Sequence, residues 1–294
     1  MHKMHARPPK INSALLCQLL LLSTFFSGNA FHLAPKPSTV RLHMSDTSKT
    51  TDSRRSSVAM DNGETFTIAI LGDLHLDPRY MDDHIEGRKH FMPIVTKKDG
   101  SIKNRCAVVS LGDLGESKSV KPDSKELFAG TTECFELARS FLDGFKVPFE
   151  VVGGNHDLEG IDEFPTDETN MEAYLRILGK QTPYFRRDIA DKVVLLGLGS
   201  TAFRTAQYTS HEVFIDEDQI KWFEDTVRQC PAEEGWKVFV FSHAPPMGSG
   251  LRVLQENHVI NGCCWLNHSG KNTRRFIECV RQNPSIKVRV GGWG

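Results

Sequence analysis

The 294-residue sequence is 39% hydrophobic and 25% charged, the balance of a globular chain able to bury a sizeable core. Its formal net charge of −1 conceals an uneven distribution: residues 1–60 hold eight Lys or Arg against two acids, and residues 61–294 hold 28 against 35. A net-acidic body lacks the basic stripe that tracks a nucleic-acid backbone, so nucleic acid is not an expected partner.

Residues 1–30 read as a secretory signal peptide. Lys3, Arg7 and Lys10 make a basic start, and Ala14 to Phe26 is an apolar run broken by Gln18, Ser23 and Thr24. Ser27-Gly28-Asn29-Ala30 then supplies small residues for cleavage. The run is too short and too interrupted for a membrane span. Residues 31–60 are rich in Ser, Thr, Arg and Lys and poor in acids, the composition of a transit peptide. A signal peptide ending at Ala30, followed by Phe31 and such a segment, resembles the bipartite plastid-targeting leader of algae with complex plastids. Plastid delivery is therefore expected, with plain secretion as the alternative. No long apolar run follows position 60, so the mature part is expected to be soluble.

Residues 65–294 are expected to form one domain in which short apolar strands alternate with helices, an α/β layering. The strands are expected at 67–71, 107–111, 149–152, 192–198, 238–241 and 286–290. Helices are expected over 124–142, then from a Thr169-x-x-Glu172 capping box to Leu178. A further helix follows Asp216-x-x-Gln219, with Ile220, Phe223 and Val227 on one face, and the last spans 271–282. Among the seven cysteines the spacing gives no metal-finger pattern, so free buried thiols are expected. Cys263-Cys264 leaves a vicinal disulfide as the other option.

Chemistry concentrates just after the strands. The first ends in Gly72-Asp73-Leu74-His75, the second in Gly112-Asp113, and the third in Gly153-Gly154-Asn155-His156-Asp157. The fifth ends in Ser242-His243-Ala244-Pro245-Pro246. Carboxyl ends of strands form the ligand-binding rim of α/β sheets. Asp, His and Asn at such tips make a mixed O and N donor set suited to Mn, Fe or Zn. His84 and His90, near Arg79, Arg88 and Lys89, lie in a segment expected to be a polar loop, either solvated or facing a substrate phosphate. His211, His258 and His268 are expected to be structural, and Trp265-Leu266-Asn267-His268 is a weaker candidate for lining the cleft.

Asp73-x-His75, Gly112-Asp113, Gly154-Asn155-His156-Asp157 and Ser242-His243, in that order, resemble the signature of the calcineurin-like metallophosphoesterases. The helix containing Gln219-x-x-Trp222-Phe223 also looks like theirs. The resemblance implies a two-sheet β-sandwich flanked by helices, an α/β/β/α four-layer fold. It implies hydrolysis of phosphoester bonds at a dinuclear centre of two divalent or trivalent ions, Mn, Fe or Zn. Asp73 and His75 would bind the first metal, Asp113 would bridge, and Asn155 and His243 would bind the second. His156 would protonate or polarise the departing oxygen, with Asp157 orienting its ring. A small phosphorylated substrate is expected in preference to a phosphoprotein.

The family's final Gly-His-x-His has no counterpart. Residues 286–290 are followed by Gly291-Gly292-Trp293-Gly294, where the sequence ends. A C-terminal truncation of the gene model is the expectation. The alternative is a catalytically weakened or inactive relative with a binding or regulatory role.

Overall fold

A computed structural model describes residues 65–206, 209, 211–246 and 271–291. The leader at 1–60 lies outside the described residues, as do Cys263-Cys264, His258 and Trp265 to His268. Among the described residues no helix is long and apolar enough to cross a membrane.

Two sheets carry the fold. The first is wholly parallel, in the order β1 (Thr67–Leu71), β2 (Cys106–Ser110), β3 (Phe149–Val151). The second runs β4 (Phe185–Ala190), β5 (Val193–Leu198), β6 (Lys237–Ser242), β7 (Ile286–Gly291). Only the β4–β5 pair is antiparallel. β2 and β5 are buried at every position, as expected of strands covered on both faces.

The sheets pack face to face through one apolar layer. Ala107, Val109, Leu111 and Val152 from the first meet Val193, Leu195, Phe239 and Phe241 from the second. The outer face of the first sheet is covered by α1 (Met81–Val95), α2 (Thr132–Asp143) and α3 (Asp167–Leu178), with Phe135, Leu142 and Tyr174 at its centre. The outer face of the second is covered by α4 (Glu217–Arg228) and α5 (Lys271–Gln282), around Ile220, Phe223 and Phe276. The result is the expected α/β/β/α order.

Several boundaries differ from the sequence reading. The helix expected over 124–142 begins only at Thr132, because Gly130 adopts φ +75° and the Thr131 hydroxyl accepts the Cys134 N–H as an N-cap. The capping box of α3 is Thr166 with Thr169, three residues before the Thr169–Glu172 pair. Asp216 does cap α4 by accepting the Gln219 N–H at 2.8 Å. Two elements were unforeseen: α1, in place of a polar loop, and the edge strand β4. Cys106, Cys134, Cys230 and Cys279 are free and buried, as expected.

Candidate metal centre

The registers set the site. Leu71 pairs with Ser110, and Ser110 with Val151, so the chain leaves β1, β2 and β3 at one level. In the second sheet Leu198 pairs with Ser242, which brings His243 out beside the same rim. The segments after β1 and β2 stay paired, with His75 N–H donating to Asp113 O and Leu76 N–H to Leu114 O, each at 2.9 Å. His75 (φ +39°) and Asp113 (φ +48°) both sit in the left-handed region, which costs an L-residue of order 1–3 kcal/mol. Strain at two candidate ligands is the pattern of a site held by its surroundings.

One carboxylate oxygen each from Asp73 and Asp113 and a ring nitrogen of His75 lie within 4.8 Å of one another. His243 joins them: Nε2 is 3.6 Å from Asp113 Oδ2 and Nδ1 is 3.7 Å from Asp73 Oδ1. Asn155 Oδ1 is 3.2 Å from His243 Nε2. The five expected metal ligands therefore converge.

Both histidines are aimed by backbone carbonyls. His75 Nδ1 lies 3.2 Å from Gly115 O, and His243 Nδ1 lies 2.8 Å from Leu111 O. A carbonyl only accepts, so each Nδ1 carries the proton, and Nε2 is the atom each neutral ring can offer to a cation. Nε2 of His243 then faces the Asn155 amide oxygen and Asp113 Oδ2, which are acceptors. Acceptors on both sides of Nε2 favour a charged ring. Burial opposes that charge, but Asp113 and Asp73 outweigh it and hold the His243 pKa above its ordinary value.

The carboxylates fit a cation by the same logic. Among the described residues, both oxygens of Asp73 and Oδ2 of Asp113 are buried with no hydrogen-bond partner. Buried charge without a partner is expensive, and a metal ion is the group that such oxygens accommodate. Burial first, then the Asp113 charge working against the His243 attraction, raises the Asp73 pKa to about 7.

Asp157 corrects the sequence reading. Its carboxylate accepts three backbone N–H bonds, from Asp113 at 3.0 Å, Leu114 at 2.8 Å and Gly154 at 2.8 Å. It ties the β2 and β3 tips together and does not orient the His156 ring. That task falls to Glu159, whose Oε2 is 2.6 Å from His156 Nδ1. Burial works against the charged ring, but the Glu159 bond and the Asp113 and Asp157 charges raise the His156 pKa to about 9. The signal for Glu159 was its place three residues after His156, one turn of the 3-10 helix His156–Leu158. The His156 and His75 rings meet edge to face at 5.6 Å.

The other candidates are engaged with partners outside the five ligands. Arg79 forks onto Asp77, Arg88 donates to Phe141 O at 2.7 Å, and Lys89 pairs with Glu86. His84 is buried and accepts the Asp77 N–H at 3.3 Å, while His90 is exposed near Glu86. His211 is structural, as expected, and bonds Asp167.

A calcineurin-like phosphoesterase family model matches residues 66–268. The chain belongs to that family. Among solved structures it is similar to the crystal structure of TT1561 of Thermus thermophilus, with 12% identity and a TM-score of 0.38. That match covers 71% of this chain and 76% of the other. No curated protein matches it.

Gly154 approaches the candidate centre closely. A Cβ there would collide with Asp113 Oδ1 and stand 2.8 Å from both the Asp113 N and His243 Cε1. Gly154→Ala is expected to weaken Mn²⁺ binding at least about tenfold, the low end of what disturbed ligand support costs. Titration calorimetry on wild type and variant measures this directly.

Proposed function

We propose that this chain is a metal-dependent hydrolase of phosphoesters with a dinuclear centre, acting on a small phosphorylated compound in preference to a phosphoprotein. The observation that carries the reading is the convergence of Asp73, His75, Asp113, Asn155 and His243 around buried carboxylate oxygens that find no hydrogen-bond partner among the described residues. Asp73, His75 and Asp113 would hold one ion, and Asp113, Asn155 and His243 the other. Mn, Fe and Zn suit these donors. When bound, such a pair of ions neutralises a phosphoryl group and lowers the pKa of a water held between them.

The residues of the chain divide the remaining work. Asp113, fully buried and tied through Oδ1 to the His156 N–H at 3.1 Å, keeps the shared position rigid. Gly115 O and Leu111 O hold the two ligand rings in one tautomer. His156, with Nδ1–H donating to Glu159, keeps a second proton on Nε2 for the departing oxygen. Asp157 fixes the loop tips on which Asp113 and Asn155 ride.

The test uses the full chain stripped of metal by a chelator. p-Nitrophenyl phosphate and its bis-ester are supplied with Mn²⁺, Fe²⁺ or Zn²⁺, beside an Asp113→Ala variant. Metal-dependent release of p-nitrophenol that the variant lacks supports the proposal. Absence of turnover with every metal and both esters contradicts it.

A further inference from the structure

After β5, residues 199–206 and 211–215 run antiparallel to one another near the candidate metal centre. Ala202 N–H donates to Glu212 O at 2.9 Å and Phe214 N–H to Ser200 O at 3.1 Å. Arg204 lies on the outgoing arm and His211 on the returning one, and both reach Asp167, the first residue of α3. Asp167 Oδ2 accepts the Arg204 backbone N–H at 2.6 Å and lies 3.1 Å from His211 Nε2. The guanidinium forks onto the same carboxylate, with Nε at 3.0 and 3.1 Å. The Arg204, Asp167 and His211 side chains are 9%, 3% and 4% exposed.

A buried ion pair returns little net stability, because desolvation offsets most of the attraction. What it does supply is fixed geometry. Arg204 also reaches the site: Nη2 donates to Leu158 O at 2.5 Å. Leu158 closes the 3-10 turn His156–Leu158, and its N–H in turn reaches Asn155 O at 3.3 Å. The start of that turn is latched by Asp113 Oδ1 and the Asp157 carboxylate. Its end is latched by Arg204. The same loop also holds the opposite wall, since Ser200 Oγ accepts the N–H of Ala244, next to His243, at 3.0 Å.

We infer that Arg204 is a positioning residue. Anchored by Asp167 and His211, it fixes the Asn155–Leu158 turn, and so His156, relative to His243 on the other sheet. The consequence for turnover rests on the hydrolase reading, whereas the consequence for the turn does not.

Hydrogen exchange and steady-state kinetics on the full chain test this, with Arg204→Lys, Arg204→Ala and an Arg186→Ala control. Arg186 pairs with Asp188 on β4, in the other sheet from the β3 strand that leads into the turn. Lys keeps the charge and loses the fork. Amides of residues 156–160 should exchange about tenfold faster in both Arg204 variants, while those of β2 and β5 stay protected. The kcat should fall about 10–100-fold with KM nearly unchanged, the cost of a small displacement of a catalytic group. Where the Ala variant fails to fold, the Lys variant carries the comparison. Wild-type exchange at 156–160, wild-type kcat, or loss of protection throughout the Lys variant each overturns the inference. If the wild type itself hydrolyses nothing, the proposed function fails and exchange alone decides the positioning role.

Discussion

Replacing Asp113 by Asn is expected to reduce metal-dependent hydrolysis by about 10³-fold or more, the several kcal/mol a metal contributes to a phosphoryl transition state. Asp113 lies among the other candidate ligands. Oδ2 is 3.6 Å from His243 Nε2 and 4.0 Å from His75 Nε2, and no described group hydrogen-bonds it. Oδ1 accepts the His156 N–H. The amide keeps the shape and the Oδ1 acceptor, so the fold should persist while the shared charge is lost. A second readout separates binding from chemistry. Saturating Mn²⁺ at about 100 times its dissociation constant stabilises a binding protein by about 2.7 kcal/mol. For a body of this size that is a Tm rise of roughly 5–10 °C. Calorimetric scans should show the rise in wild type and not in Asp113→Asn.

The largest effect on stability is expected at Gly112. This residue joins β2 to Asp113 with φ +101°, a conformation that side chains rarely adopt. A Cβ there would lie 2.5 Å from Gly154 N and 2.8 Å from Val152 O, both backbone atoms of the neighbouring strand tip. Neither can rotate away as a side chain could. Strain and overpacking of this kind add to about 3 kcal/mol or more. Gly112→Ala should therefore lower Tm by roughly 6–12 °C. Because Gly154 carries the chain into Asn155, metal binding should weaken with it. A Tm within a degree or two of wild type would mean that the β2 and β3 tips are less closely packed than described.

The candidate ligands were legible in the sequence because each sits just after a short apolar strand, beside a glycine or, for His243, ahead of Pro245-Pro246. The apolar runs 67–71 before Gly72-Asp73 and 107–111 before Gly112-Asp113 can be read that way without a structure, and the strands fall within one residue of them. Order along the chain then supplied the remaining donors. What escaped was set by contacts between distant residues. The Asp157 carboxylate lies on N–H groups 43 and 44 residues away, which no local pattern records. Arg204 and Asp167 are 37 residues apart and meet only where the chain after β5 reaches the start of α3. The missed elements have simpler causes. α1 carries Gly87 and Pro93 among charged residues and shows only four buried side chains, so its apolar face is faint. β4 lies at a sheet edge with Arg186, Arg187 and Asp188 in its middle, and its burial alternates between partial and exposed. The over-long helix across 124–142 followed apolar spacing through Gly130, whose positive φ interrupts it.

Asp73, His75, Asp113, Asn155 and His243 are proposed to form one metal site. Titration calorimetry of the metal-stripped full chain with Mn²⁺, repeated on Asp73→Asn and His243→Ala, tests it most directly. Saturable binding approaching about two ions per chain, weakened by each substitution, is the result predicted for a bridged pair. No saturable binding in wild type, or binding that both variants retain unchanged, would contradict the assignment.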